Sequence, residues 1–229
     1  VSHSINITRI KAVYNALGDL GNEVVFVGGA TVSLYADNPE QADIRPTNDV
    51  DVLVEVATYG SYVQVQEKLS KLGFQVDADS KVICRYKYQG LTVDVMPIEE
   101  DVLGFKSRWY KEGFENRVKH DIDEQTAVNI FTAPYFIAAK IEAFKDRGKN
   151  DGRTSTDFED IIFVLDNMAA IWKEMKNAKP DLNEYLQTEF KKLSGNRYIE
   201  EWISGHLERN TASARSKMIL TAIDDFLTP

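Results

Sequence analysis

The sequence predicts an α+β protein, with a mixed β-sheet and helices over residues 1–130 and a helical C-terminal part over 131–229. Three observations carry this expectation. Strand-like and helix-like patterns alternate before about residue 130, apolar residues recur at helical spacing after it, and no repeat or low-complexity linker interrupts either part. With 229 residues, 43% apolar and 28% charged, the chain has ordinary globular composition and enough apolar surface to bury a core.

Ile10, Val13, Tyr14, Leu17 and Leu20 fall at helical spacing, and Gly18 and Gly21 supply a stop. Residues 23–27 read as a strand running into Gly28 and Gly29, after which residues 30–35 can open a second helix. Residues 37–48, rich in Pro, Asp and Asn, read as a loop. In residues 49–56, Val50, Val52, Val54 and Val56 share one face, the mark of a half-buried strand. Tyr62, Val65, Leu69 and Leu72 mark another helix, followed by strands around residues 82–88 and 91–96 that join at Gln89 and Gly90. From Thr132 onward the pattern is helical. Phe158, Ile161, Ile162, Leu165, Met168, Ala169 and Trp172 hold one face for four turns, and Leu182, Tyr185, Leu186, Phe190 and Leu193 repeat it after Pro180.

Composition excludes several classes of function. A single cysteine, Cys84, rules out a disulfide framework and a cysteine-based zinc cluster, and it reads as strand packing. His3, His120 and His206 have no ligand spacing. No apolar run is long enough for a bilayer, and the first residues lack the basic and apolar regions of a signal peptide. A cytoplasmic location without membrane partners is expected. The net charge of −9 is concentrated in residues 1–130, which hold 20 of the 36 acidic side chains but 13 of the 27 basic ones. General capture of a polyanion is therefore disfavoured, whereas an acidic site neutralised by metal fits.

Asp49 and Asp51 stand two apart on a strand, so both carboxylates lie on the face opposite the valines. Carboxylates crowded without a basic partner repel, and a divalent cation relieves that repulsion; the alternative is a solvated strand end. Asp94 also faces away from its strand's apolar side, and on a neighbouring strand it would make a third ligand. The Gly28-Gly29 turn admits either phosphate approach to a helix start or an ordinary tight turn. Neither a P-loop nor a dinucleotide fingerprint is present. Lys140 and Arg147, two helical turns apart, share a face that can grip a polyphosphate or simply meet solvent. Residues 156–159 read as a capping box, so Asp157, Glu159 and Asp160 can complement a helix N-terminus.

Taken in order, Val27-Gly-Gly-Ala-Thr31, Thr47-Asn-Asp-Val-Asp-Val52 and Val93-Asp-Val95 resemble the DNA polymerase β-like nucleotidyltransferase superfamily. Lys140-x-x-Ala143-x-x-x-Arg147, followed by Thr156-Asp-Phe-Glu-Asp-Ile161, is similar to elements of AbiEii/AbiGii-type nucleotidyltransferases, some of which are toxins of toxin–antitoxin systems. The resemblance spans residues 24–165. It departs in having Thr156 where the family has Arg and a longer segment after Arg147, so either Asp157 or Asp160 can fill the family's acid position, Asp160 being preferred.

The resemblance implies Mg²⁺-dependent transfer of a nucleoside monophosphate from a nucleoside triphosphate to an acceptor hydroxyl. Asp49, Asp51 and Asp94 would be the catalytic and metal-ligating residues, with two ions. Gly28, Gly29, Lys140, Arg147 and Asp160 would bind the nucleotide. The helical part would complete the nucleotide site and select the acceptor. An RNA 3′ end, with tRNA as leading candidate, is the expected acceptor, and an antitoxin a conceivable partner. Lys106, Arg108, Lys111, Arg117 and Lys119 form the densest basic stretch of the acidic half and would contact RNA. Rival readings are a small-molecule or protein nucleotidyltransferase, and a catalytically silent binding protein of the same fold.

Overall fold

Val50, Val52 and Val54 are buried on strand β2 (Asp49–Val54), as their alternation predicts, but Leu53 on the opposite face is buried as well. A strand covered on both faces belongs in the middle of a sheet. The computed structural model describes residues 2–40, 44–104, 108–149 and 151–228. In it β2 lies at the centre of a seven-stranded mixed sheet, and the chain after that sheet is mostly helical. Residues cluster into two compact units, Val1–Leu34 with Ile44–Thr132, and Tyr35–Asp43 with Ala133–Pro229.

The first unit opens with α1 (Ser2–Leu17), a 3₁₀ turn (Gly18–Asn22) and β1 (Val25–Val27). After β2 come α2 (Tyr59–Lys71), β3 (Gln75–Val76), β4 (Arg85–Tyr88) and β5 (Leu91–Pro97). The short helices α3 (Glu100–Leu103) and α4 (Tyr110–Glu115) precede β6 (Val118–Asp123) and β7 (Thr126–Ile130). The strand order is β3-β4-β5-β2-β1-β7-β6. β2 runs parallel to β5 and antiparallel to β1, while β4 pairs antiparallel with β5. Gln89 and Gly90, with φ of 46° and 83°, form the two-residue turn of that last hairpin. Positive φ at both central positions matches the twist of the flanking strands and fixes the register.

Two expected elements take a different form. The segment after Gly28 is a 3₁₀ helix (Gly29–Tyr35), not an α-helix. Thr31 donates both its N–H and its hydroxyl to the Gly28 carbonyl, at 3.3 and 3.0 Å, and the adjacent β-branched Thr31 and Val32 disfavour the α-form. The strand expected around residues 82–88 begins only at Arg85, because Val82 accepts the Arg85 N–H in a turn; Cys84 is buried in that turn. The edge strand β6 was not among the expected elements; Val118, His120 and Ile122 alternate with Lys119, Asp121 and Asp123, but none of them is buried.

The second unit contains α5 (Ala133–Arg147), α6 (Thr156–Asn167), α7 (Ile171–Lys176), α8 (Pro180–Ser194), α9 (Ile199–Gly205) and α10 (Ala212–Leu227). The four-turn face expected from Phe158 to Trp172 is divided between α6 and α7. Met168 is extended, the Asp37 N–H donates to the Asn167 carbonyl at 2.9 Å, and the Ala169 N–H donates to the Asp37 carboxylate at 2.8 Å. A side chain 132 residues away thus ends the helix where periodicity alone would continue it. Trp172, Phe190 and Phe226 meet with ring centroids 5.7–6.0 Å apart, and Phe144, Phe158 and Trp202 form a second aromatic triangle. Among the described residues, no helix is long and apolar enough to cross a membrane.

Candidate acidic metal site

Period-two geometry places Asp49 and Asp51 on one face of β2, and the parallel register sets Asp51 directly opposite Asp94 on β5. One carboxylate oxygen from each of Asp49, Asp51 and Asp94 lies within 4.8 Å of the others. Asp94 is buried, whereas Asp49 and Asp51 are half-buried at the strand head. Three hard oxygen donors so close suit Mg²⁺ or Mn²⁺ in preference to softer metals, so the donor set fits the expected ion. Among the described residues, no other group of three His, Cys, Asp or Glu side chains converges in this way.

The sequence reading missed Arg85. Its Nε and Nη2 donate to the two oxygens of Asp94 at 2.8 and 2.7 Å, and Nη2 also reaches Asp49 at 3.3 Å. The acids therefore do have a basic partner. Its position could have been counted from the Gln89-Gly90 turn, because the tight hairpin pairs Tyr88 with Leu91 and, three rungs on, Arg85 with Asp94. The hydrogen bond to Asp94 is the main reason the guanidinium is held above its ordinary pKa, so its positive charge is fixed. Beneath the acids, burial first and then the charges of Asp94 and Asp51 push the Cys84 thiol up to about 12. Cys84 is thus a neutral packing group.

Gly28 adopts φ of +75°, and a Cβ built on it would lie 1.9 Å from Asp51 Oδ2. Both facts require glycine. The turn lets the Asp51 carboxylate sit against the backbone, a nearer constraint than any ligand. The entry to β2 is fixed from α1: fully buried Asn6 accepts the Thr47 N–H at 3.1 Å and donates to the Arg45 carbonyl at 3.3 Å. Two residues on, Asp49 begins the strand.

Lys140, Arg147 and Asp160 come together in the helical unit, joined by Asp157. Lys140 Nζ lies 3.1 Å from Asp157 and 2.6 Å from Asp160, all three being buried. Arg147 grips both oxygens of Asp157, Nε at 2.6 Å and Nη2 at 2.7 Å, while its side chain stays mostly exposed. Burial pulls the Lys140 pKa down, but Asp160 and Asp157 outweigh it and leave it raised. Burial likewise raises Asp157, and its Arg147 hydrogen bond and Lys140 bring it below the usual carboxylate range. Ser155, not the expected Thr156, caps α6, accepting the Phe158 N–H at 3.3 Å in a single N-cap bond.

The basic stretch is less open than its sequence suggests. Arg108 stacks on Trp109, Lys111 pairs with Glu99 at 2.7 Å, and Arg117 lies over Phe114. Lys119 is exposed on β6, and Lys106 lies outside the described residues. Among the described residues no histidine joins the acidic group, and His206 Nε2 meets the Gly152 carbonyl at 2.6 Å.

No protein-family model matches the chain, and no curated protein matches its sequence. What stands is a mixed α+β fold whose sheet carries an acidic triad able to hold a metal ion.

Proposed function

We propose that the chain is a nucleotidyltransferase, moving a nucleoside monophosphate from a nucleoside triphosphate to an acceptor hydroxyl. The observation that carries this reading is the convergence of Asp49, Asp51 and Asp94 from two parallel strands, beside the Gly28 turn. Asp49 and Asp51 would hold a divalent cation, and Asp94 would complete its surroundings. A bound Mg²⁺ supplies charge neutralisation at the α-phosphate and lowers the pKa of the attacking hydroxyl. The bond from the acceptor oxygen to the α-phosphorus forms, the bond to the bridging oxygen breaks, and pyrophosphate leaves. The hydroxyl proton would pass to a carboxylate oxygen of Asp94, which keeps a lone pair beside each Arg85 hydrogen bond. The roles that the resemblance gives Gly29, Lys140, Arg147 and Asp160, holding and balancing the triphosphate, belong to the same proposal.

An RNA 3′ end, tRNA first, is the proposed acceptor, with Arg108, Lys111, Arg117 and Lys119 supplying local contacts. A second reading, a binding protein that keeps the fold without turnover, draws on the Arg85 fork, which already neutralises part of the triad. Incubation with Mg²⁺, each of the four labelled triphosphates and total cellular RNA separates the two. Labelled RNA 3′ ends with pyrophosphate release are expected. Asp51→Asn should lower transfer at least about a hundredfold, since it removes a ligand charge, while relief of carboxylate repulsion leaves the melting temperature equal or higher. No transfer from any triphosphate favours the silent protein, and label on a protein or an aminoglycoside replaces RNA as the acceptor.

A further inference from the structure

Arg85 gives the triad a charge balance of its own. Both Asp94 oxygens accept from the guanidinium, and the same Nη2 reaches on to Asp49. Three carboxylates and one guanidinium leave two net negative charges, which a single divalent cation neutralises. A second cation would leave the cluster as positive as it now is negative. Removing Arg85 from Asp94 to make room would also break a bidentate, charge-assisted pair whose carboxylate side chain is only 9% exposed. The outer side of the triad differs. The Asp49 side chain is 40% exposed, and its contact with Arg85, at 3.3 Å, is the longest of the three.

We propose that Arg85 is the built-in counter-ion of this site: it holds the place of one divalent cation, so that the nucleotide-free chain takes a single ion, on Asp49 and Asp51. The inference rests on the metal-binding reading above. It departs from the two-ion arrangement that the resemblance implies, and it assigns the departure to one residue. The tight hairpin that sets Arg85 opposite Asp94 makes this a fixed feature of the sheet.

Titration of the metal-stripped chain with Mn²⁺, with free ion followed by its paramagnetic resonance signal, reads the stoichiometry directly. One ion per wild-type chain and two per Arg85→Met chain are expected. Thermal melting in chelator adds a second readout, the variant melting lower than wild type and gaining more from added Mn²⁺. Arg85→Gln, of similar reach and neutral, serves if the methionine variant does not fold. Equal ion counts in wild type and neutral variant, or fewer in the variant, overturn the counter-ion role, as do two ions on wild type. Wild type that takes up no Mn²⁺ removes the metal reading itself, whereas one ion on both proteins removes only the role of Arg85.

Discussion

In the sheet unit one arginine donates to two of three clustered aspartates; in the helical unit a lysine meets two aspartates, one of which an arginine also grips. The first cluster is over-acidic and partly open at Asp49 and Asp51. The second is balanced, and Lys140, Asp157 and Asp160 are buried. Removing one partner of a buried ion pair leaves an uncompensated charge in a dry place. A cluster of carboxylates at a strand head has the opposite character, because a cation relieves their mutual repulsion. Both clusters drew notice in the sequence through the same residue types, and the charge balance separates them.

The largest effect that can break this contrast comes from Lys140→Met. Two buried carboxylates would then lose the ammonium they share, and a loss of about 3–5 kcal/mol of stability is expected. Chemical denaturation of wild type and variant measures it. Asp51→Asn in the sheet unit should show no such loss. A Lys140→Met chain as stable as wild type would void the contrast. If it then bound triphosphate more weakly, with monophosphate binding unchanged, Lys140 would be placed at the β and γ phosphates.

A smaller effect is expected at Gly28. A Cβ there meets Asp51 Oδ2 and needs an unfavourable positive φ, so Gly28→Ala should cost about 1–2 kcal/mol in backbone strain alone. The displaced Asp51 carboxylate should weaken Mn²⁺ binding about tenfold. Gly90 is the control, since its φ is also positive but nothing lies within 4 Å of its built Cβ. Gly90→Ala should show the strain with unchanged metal affinity. Equal metal affinity in Gly28→Ala and Gly90→Ala would remove the positioning role of Gly28.

The α+β class and the aspartate pair were legible because they follow from local periods. Alternating valines fix a strand, and a spacing of two fixes the shared face of Asp49 and Asp51. That Asp94 lies opposite Asp51 depends on β5 pairing with β2 across the sheet, a tertiary choice that no local pattern states. Arg85 is legible by counting rungs from Gln89 and Gly90, since the tight hairpin pairs Tyr88 with Leu91 and so Arg85 with Asp94. The break between α6 and α7 could not be read locally, since Asp37 caps it from a distant segment. Strands β6 and β7 were not among the expected elements: Val118, His120 and Ile122 alternate with charged residues on β6 but none is buried, whereas Val128 and Ile130 of β7 are buried.

The smallest expected effect is a pH profile that is flat where most measurements are made. The folded-state pKa of Asp157 is lowered, so its stabilising contribution is complete above the unfolded value of about 3.9 and fades as pH falls through the folded one. Lys140 is shifted the other way. Its contribution is complete below about 10.4 and fades as pH rises through the folded value. The stability difference between wild type and Asp157→Asn should therefore stay constant from about pH 5 to pH 9 and shrink below about pH 4. The difference between wild type and Lys140→Met should shrink only on the alkaline side, above about pH 10.4, until acid protonates its partners. Differences between variants are the proper readout, because Asp123, held down to about 2 chiefly by its hydrogen bond from Lys11, adds an acid limb of its own in the sheet unit. An Asp157→Asn difference that widened on acidification would reverse the sign assigned to the pair, and Arg147 would no longer be the group that keeps that carboxylate ionised.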